Sequence, residues 1–206
     1  MSLDLTRSSL TLFRRRLNLD VLLALLLGLL AFSLYLRTLA PSVISIADDT
    51  LEFQLVAQRG AIPHPSGYPL YALLLTLSAR LLPFGDVAFR ANLLSALAAS
   101  LAVAFTYLVA RQMRLSHVAA LFSAVLLAIV PTFWAHATIA EVYALHIALI
   151  SALFLSFLRW QATLTHSLTL PFGPALLLGL ALTHHLTIVL WLPALGIYFL
   201  LILWYT

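Results

Sequence analysis

Three of the seven acidic residues of this chain fall within five positions, as Asp48, Asp49 and Glu52. On a helix Asp48 and Glu52 stand four apart and Asp49 and Glu52 three apart, so one face carries all three carboxylates. Such a cluster repels itself unless a proton or a cation sits among its oxygens. The chemistry open to it is that of a general base with an electrostatic partner, or of a divalent metal ion held by Asp49 and Glu52. Ordinary surface acids on a solvated loop are the plain alternative. The next segment is Gly60-Ala61-Ile62-Pro63-His64-Pro65-Ser66-Gly67-Tyr68-Pro69-Leu70-Tyr71. Prolines on both sides of His64 fix the backbone and remove amide donors, and Gly67 permits a tight turn before an apolar helix. A rigidly held histidine close to a carboxylate cluster suits a binding site; a loop that merely lets the chain re-enter a bilayer is the competing reading.

Further polar groups stand where an apolar chain should avoid them: Arg90 and Asn92, Glu141, and the pair His184 and His185. Placing an ionisable group at bilayer depth costs about 2.5 to 3.5 kcal/mol on insertion scales, so each is a functional candidate. Each also has a structural explanation. Arg90 can snorkel at a helix end, Glu141 can favour a helix start through the macrodipole, and the histidine pair can clasp two helices. Trp134, Tyr143 and Trp191 read as interfacial aromatics. His117, His136, His146 and His166 show no ligand spacing and are expected to be structural.

The elements that must position these groups follow from composition. Of 206 residues, 63% are hydrophobic and 9% charged, and the mean hydropathy is +1.06. A soluble domain carries about 25% charged residues, so a soluble globular protein is excluded. Cysteine is absent, which removes disulfides, thiolate metal sites and cysteine nucleophiles. The net charge of +4 comes from eleven thinly spread arginines, which is no footprint for nucleic acid.

The whole chain, 1–206, therefore reads as a single membrane domain: an all-α, polytopic bundle of about six spans plus an interfacial or re-entrant helix. Arg14, Arg15 and Arg16 place residues 1–18 in the cytoplasm. The order of charge and apolar run resembles a signal peptide, but no small-residue cleavage site closes it, so residues 19–39 are expected to be a retained first span. Residues 40–90 form an outer loop, and 91–206 hold the remaining spans at Ala91 to Ala110, His117 to Val130, Val142 to Leu158, Leu170 to Leu182 and Leu186 to Tyr205. The short run from Tyr68 to Pro83 decides the topology. If it crosses, Glu141 and the histidine pair fall opposite the acidic loop; if it lies in the interface, Arg111, Arg114 and Arg159 are all cytoplasmic and the polar groups share the outer face. The second arrangement satisfies the charge rule better and is the one expected.

The order of these features resembles a known family. Asp49-Thr50-Leu51-Glu52, then His64-Pro65-Ser66-Gly67-Tyr68-Pro69-Leu70-Tyr71, then Arg90-Ala91-Asn92-Leu93-Leu94-Ser95-Ala96, then Phe133-Trp134 with Ala140-Glu141-Val142-Tyr143, and finally Gly179 to Thr187 around His184-His185 resemble the protein O-mannosyltransferases typified by transmembrane protein 260, within the GT-C superfamily. Leu51 stands where that pattern usually has Gly, and Ser66 where it usually has a second Pro. The resemblance implies a GT-C-like fold and an N-terminal portion, since such enzymes have more spans than this chain has room for. It implies a glycosyltransferase that moves a sugar such as mannose from a polyprenyl-phosphate donor to an extracytoplasmic protein or glycan, with inversion. It also implies a multi-pass protein of a bacterial cytoplasmic membrane or its equivalent, working on the extracytoplasmic face. Carried over to this chain, the catalytic set is Asp49 with Asp48 and Glu52. The substrate-binding set is His64, Tyr68, Arg90, Glu141, Tyr143, His184 and His185, with Arg90 facing the departing phosphate. The partners are then the bilayer, the lipid-linked donor and the acceptor, with no nucleic acid. A transporter or ion-binding protein, and an inactive scaffold of the same fold, compete with this reading. Polar groups gathered at one face favour the enzyme, and a polar path through the bilayer favours the transporter.

Overall fold

A computed structural model describes residues 2–45, 49–164 and 171–205, and among these every regular element is helical. In chain order they are α1 (Ser2–Thr38), α2 (Thr50–Arg59), α3 (Pro69–Leu81), α4 (Val87–Gln112), α5 (His117–Ile129), α6 (Pro131–Ala137), α7 (Val142–Leu164), α8 (Phe172–His184), a 3-10 turn (Leu186–Trp191) and α9 (Leu192–Tyr205). Local chemistry sets several of these boundaries. The Asp86 carboxylate accepts from the Phe89 amide at 2.7 Å and starts α4, and the Ser116 hydroxyl accepts from Ala119 to start α5. Pro69 and Pro131 open α3 and α6, where a missing amide costs nothing.

Helix α4 is the axis of the bundle and packs against α1, α5 and α7. Its seams are made of small residues: Ala24 and Ala31 of α1, Ala96, Ala99 and Ala102 of α4, Ala120 and Ala124 of α5, and Ala144 and Ala148 of α7 are buried. The outward faces carry leucine, including Leu22, Leu25, Leu29 and Leu30 of α1 and Leu97 and Leu101 of α4. In water that arrangement would expose the larger apolar surface and hide the smaller. In lipid, where leucine gains nothing by leaving the tails, small seams let backbones approach and van der Waals contact holds the helices. Gly28 shows the limit of that approach, since a Cβ there would meet the Ser100 carbonyl oxygen at 3.3 Å.

Among the described residues three helical stretches are long and apolar enough to span a bilayer: Leu19–Thr38, Val87–Gln112 and Val142–Ala162. The sequence leads us to expect six, and the difference lies at identifiable breaks. The run after His117 bends by 63° where Pro131 forces Val130 out of helical geometry, so α5 and α6 together make at most a fourth, broken span. Helix α8 has 13 residues, about 20 Å at 1.5 Å per residue against a hydrocarbon core of about 30 Å. The last apolar run opens as a 3-10 turn before α9 continues it.

The bundle has two polar ends. At one, Arg111 Nε of α4 meets Asp20 Oδ1 of α1 at 2.8 Å, while the Tyr107 hydroxyl donates to the same oxygen at 3.2 Å and lies 3.0 Å from His117 Nδ1. The other end is organised by Asn92, which is fully buried. Its amide nitrogen donates to the carbonyls of Ala40 and Ser42, and its oxygen accepts from the Gln54 side chain and from the Ala140 amide. One side chain thereby ties the exit of α1, helix α2, helix α4 and the turn before α7. Helix α3 both starts and finishes at this end. Its first residues follow the His64 loop, its last turn is held by Arg90, and Asp86 just beyond it hydrogen-bonds Ser42.

Two outcomes follow for experiment. The chain has no native cysteine, so single cysteines at Ile62, 85% exposed, and Met113, 60% exposed, should react with an impermeant thiol reagent from opposite sides of an intact membrane. Labelling of both from the same side would contradict the two-ended arrangement. Replacing Asn92 by Leu should strand the Ala140 amide and its other partners at about 1 to 3 kcal/mol for each stranded group. Thermal unfolding in detergent should show a loss larger than that from the same change at a half-buried position of the same helix, Gln112→Leu.

Candidate functional site

The Asn92 end gathers most of the groups singled out from the sequence. Asp49 precedes α2 and makes no side-chain cap bond, so its carboxylate is not consumed in starting the helix. The following Thr50 is buried, and its hydroxyl donates to Glu141 Oε1 at 2.9 Å, across 91 positions of sequence. Glu141 is 3% exposed, and its own amide donates to the Ser95 hydroxyl of α4. In the first turn of α2, Glu52 clamps the proline-flanked loop. Oε1 accepts the His64 backbone amide at 2.8 Å, and Oε2 lies 2.5 Å from His64 Nδ1. A carboxylate only accepts, so Nδ1 carries the proton. That leaves Nε2 on the far side of the ring, 3.9 Å from Asp49 Oδ2 and 3.3 Å from the Tyr68 hydroxyl.

Tyr68 occupies left-handed backbone geometry at φ 40°, after Gly67 at φ 81°. Left-handed geometry suits Gly67, which has no Cβ, but is a genuine outlier for a bulky residue and is a form of strain that clusters at functional sites. The geometry sets the Tyr68 ring between two histidines, 5.3 Å from His64 and 5.5 Å from His185. Tyr143, at the start of α7, lies 6.1 Å from the His185 ring and 4.7 Å from that of His136.

The structure separates the histidine pair. His184 is 1% exposed, and its Nε2 donates to the Val142 carbonyl at 2.9 Å, fastening the end of α8 to the start of α7. His185 begins the 3-10 turn and faces the two tyrosines. Arg90 is brought to the same end but not into the cluster: its guanidinium donates to the carbonyls of Ala79, Phe84 and Gly85 and closes the α3–α4 turn. Asp48 lies outside the described residues. Together with Asn92, the residues Thr50, Ser95, His146 and Thr187 hold the cluster in place, and those four were not singled out as functional candidates. Only Asn92 had a signal, as a polar residue near a helix start.

One ligand atom each from Asp49, Glu52 and His64 fall within 4.8 Å of one another. Two oxygens and one imidazole nitrogen fit a divalent ion such as Zn²⁺, and whichever ring nitrogen held such an ion would have to be free of its proton. Without it, the pair shifts both partners. The His64 hydrogen bond holds the Glu52 carboxyl below its ordinary 4.5, and the Glu52 hydrogen bond, with the Asp49 charge adding to it, raises His64 above 6.5.

Residues 49–205 match the sequence profile of the Protein O-mannosyl-transferase TMEM260 N-terminal domain. The chain belongs to this family. Protein O-mannosyl-transferase TMEM260 of Mus musculus is 32% identical over 147 residues, covering 70% of this chain and 21% of the mouse protein. The chain thus spans about a fifth of that relative's length. No solved structure matches it. The TMEM260 N-terminal match opens at Asp49 and runs to the end of α9, so every residue of the cluster lies inside the family's region while α1 lies outside it.

The Glu52–His64 clamp should make the order of the 60–68 loop depend on pH. A depressed carboxyl contributes stability above its unfolded value and loses it as pH falls through the folded one; a raised histidine contributes below its unfolded value and loses it as pH rises through the folded one. The clamp is therefore complete between 4.5 and 6.5 and weakens on both sides. Amide exchange of residues 60–68 should be slowest inside that interval after correction for the intrinsic rate, and His64→Gln should flatten the profile.

Proposed function

We propose that this protein is the N-terminal part of a membrane glycosyltransferase that moves a mannosyl residue from a polyprenyl-phosphate donor to an extracytoplasmic protein or glycan acceptor. The observation that carries the reading is the gathering of Asp49, Glu52, His64, Glu141 and His185 at one end of an apolar bundle, within the matched region of an O-mannosyltransferase family. Between this end and the Asp20–Arg111 end run the alanine seams of α1, α4 and α5. Polar groups clustered at an end, with apolar seams between, suit chemistry on a lipid-borne substrate better than passage of an ion.

In this reading Asp49 is the general base. The acceptor hydroxyl oxygen attacks the anomeric carbon, its proton passes to the Asp49 carboxylate, and the bond from that carbon to the phosphate oxygen breaks, leaving polyprenyl phosphate. A single displacement inverts the centre. The His64 imidazolium, paired with Glu52, lies 3.9 Å from Asp49 Oδ2 and orients the base toward the acceptor hydroxyl. Arg90, spent on three carbonyls, acts on the loop and not on the phosphate. The buried Glu141 holds α2 in register through Thr50, and Tyr68 and Tyr143 offer aromatic faces to a sugar ring. The active face is extracytoplasmic, opposite the arginine-rich N-terminus.

The test uses the full-length protein in lipid nanodiscs with a mannosyl polyprenyl phosphate and an acceptor protein. Asp49→Asn should lower the transfer rate by about 10² to 10⁴, the range of a general base, with unchanged melting temperature. Transfer at the unmodified rate by Asp49→Asn would remove Asp49 from this role.

A further inference from the structure

His185 is held by a chain of hydrogen bonds whose direction can be worked out. Its Nδ1 lies 3.2 Å from the Thr187 backbone nitrogen, which can only donate, so Nδ1 is an acceptor. The Thr187 hydroxyl lies 2.8 Å from the same Nδ1 and 3.1 Å from Nε2 of His146 on α7. That hydroxyl has one proton to give. If it went to His146 Nε2, the His146 proton would sit on Nδ1, which is buried and has no partner. An orphaned buried N–H is rare, and a bare lone pair is the lesser cost. The chain therefore runs from His146 Nε2–H to the Thr187 oxygen, and from the Thr187 hydroxyl to His185 Nδ1.

Two donors on Nδ1 leave the His185 proton on Nε2. A doubly protonated ring would set N–H against N–H at Thr187, so the ring is held neutral. Among the described residues no protein group hydrogen-bonds Nε2. The ring is half-buried beside Tyr68 and Tyr143, with His146 packed at 4.9 Å on its other side.

We propose that Thr187 and His146 are positioning residues that lock His185 as a neutral Nε2–H donor, aimed at a hydroxyl or ring oxygen of a sugar bound beside Tyr68 and Tyr143. This rests on the glycosyltransferase reading for the identity of the ligand, and deepens it by naming the donor and what fixes it. A fixed tautomer matters because a ring free to exchange its proton presents a donor only part of the time, and a charged ring would demand an anion.

The experiment uses full-length protein labelled with ¹⁵N-histidine in nanodiscs, with the His185 signal assigned from its loss in His185→Asn. Imidazole ¹⁵N shifts should report the Nε2–H tautomer at neutral pH, and the Nε2 signal should move when mannosyl polyprenyl phosphate is added. Thr187→Val keeps the shape but loses the hydroxyl. It should mix the tautomers and weaken donor binding about fivefold to tenfold, the scale of one hydrogen bond, while Thr187→Ser restores both. A His185 found in the Nδ1–H form, or a Thr187→Val protein with wild-type tautomer and affinity, overturns the proposal. A locked tautomer whose Nε2 signal ignores the mannosyl lipid but moves with another carbohydrate leaves the positioning chain standing and sinks the donor reading. A signal that ignores every carbohydrate overturns the assignment of His185 to a sugar.

Discussion

The arrangement at the Asn92 end depends on one requirement: backbone groups that leave helical geometry in an apolar bundle must find partners inside the protein, because lipid offers none. Asn92 meets that requirement at the place where α1 ends, α2 approaches and the chain turns into α7. An amide suits the position because it both donates and accepts, and its bonds reach the stretch after α1, helix α2 and the turn before α7. A carboxylate could not reach the Ala40 carbonyl, and a lysine could not receive the Ala140 amide. With this junction fixed, Thr50 meets Glu141, and α2 lies where Glu52 can grip the His64 loop.

The packing below the junction obeys the rules of a lipid solvent. Leucine, the largest share of the apolar surface, faces outward, while alanine and Gly28 line the seams. The reason for burial is therefore closeness of approach and not escape from water. The two ends are built on the same economy, since ionisable side chains occur in groups that answer one another, Asp20 with Arg111 at one end and Glu52 with His64 at the other.

What was legible in the sequence, and what was not, follows from the range of the forces involved. Helix content, the lipid setting and the chemical character of Asp49, Glu52, His64, Glu141 and the histidine pair could be read from residue type and local spacing. The number of spans could not, because hydropathy sums along the chain are blind to a bend such as that at Pro131 or to a helix of α8's length. The division of labour within His184-His185 was also invisible. Neighbours in sequence point apart, and which of them fastens to Val142 and which faces Tyr68 depends on where α8 ends against α7. Thr187 and His146 carry no local signal at all, since their bond joins positions 41 apart. Arg90 shows the converse: an arginine beside an apolar helix looked available for an anion, whereas three open carbonyls at the α3–α4 turn claim it.

Tyr68 has a consequence of a different kind. Its left-handed backbone costs about 1 to 2 kcal/mol for a residue with a Cβ, and glycine would relieve that cost while deleting the ring that separates His64 from His185. Backbone strain and side-chain packing therefore rank the two residues in opposite order at this one position, since the ring also packs edge-on against Phe53 at 5.7 Å. A search that scored only heat tolerance would weigh the one against the other without regard to use, and a glycine that passed it would leave a hole where an aromatic face had stood between two histidines.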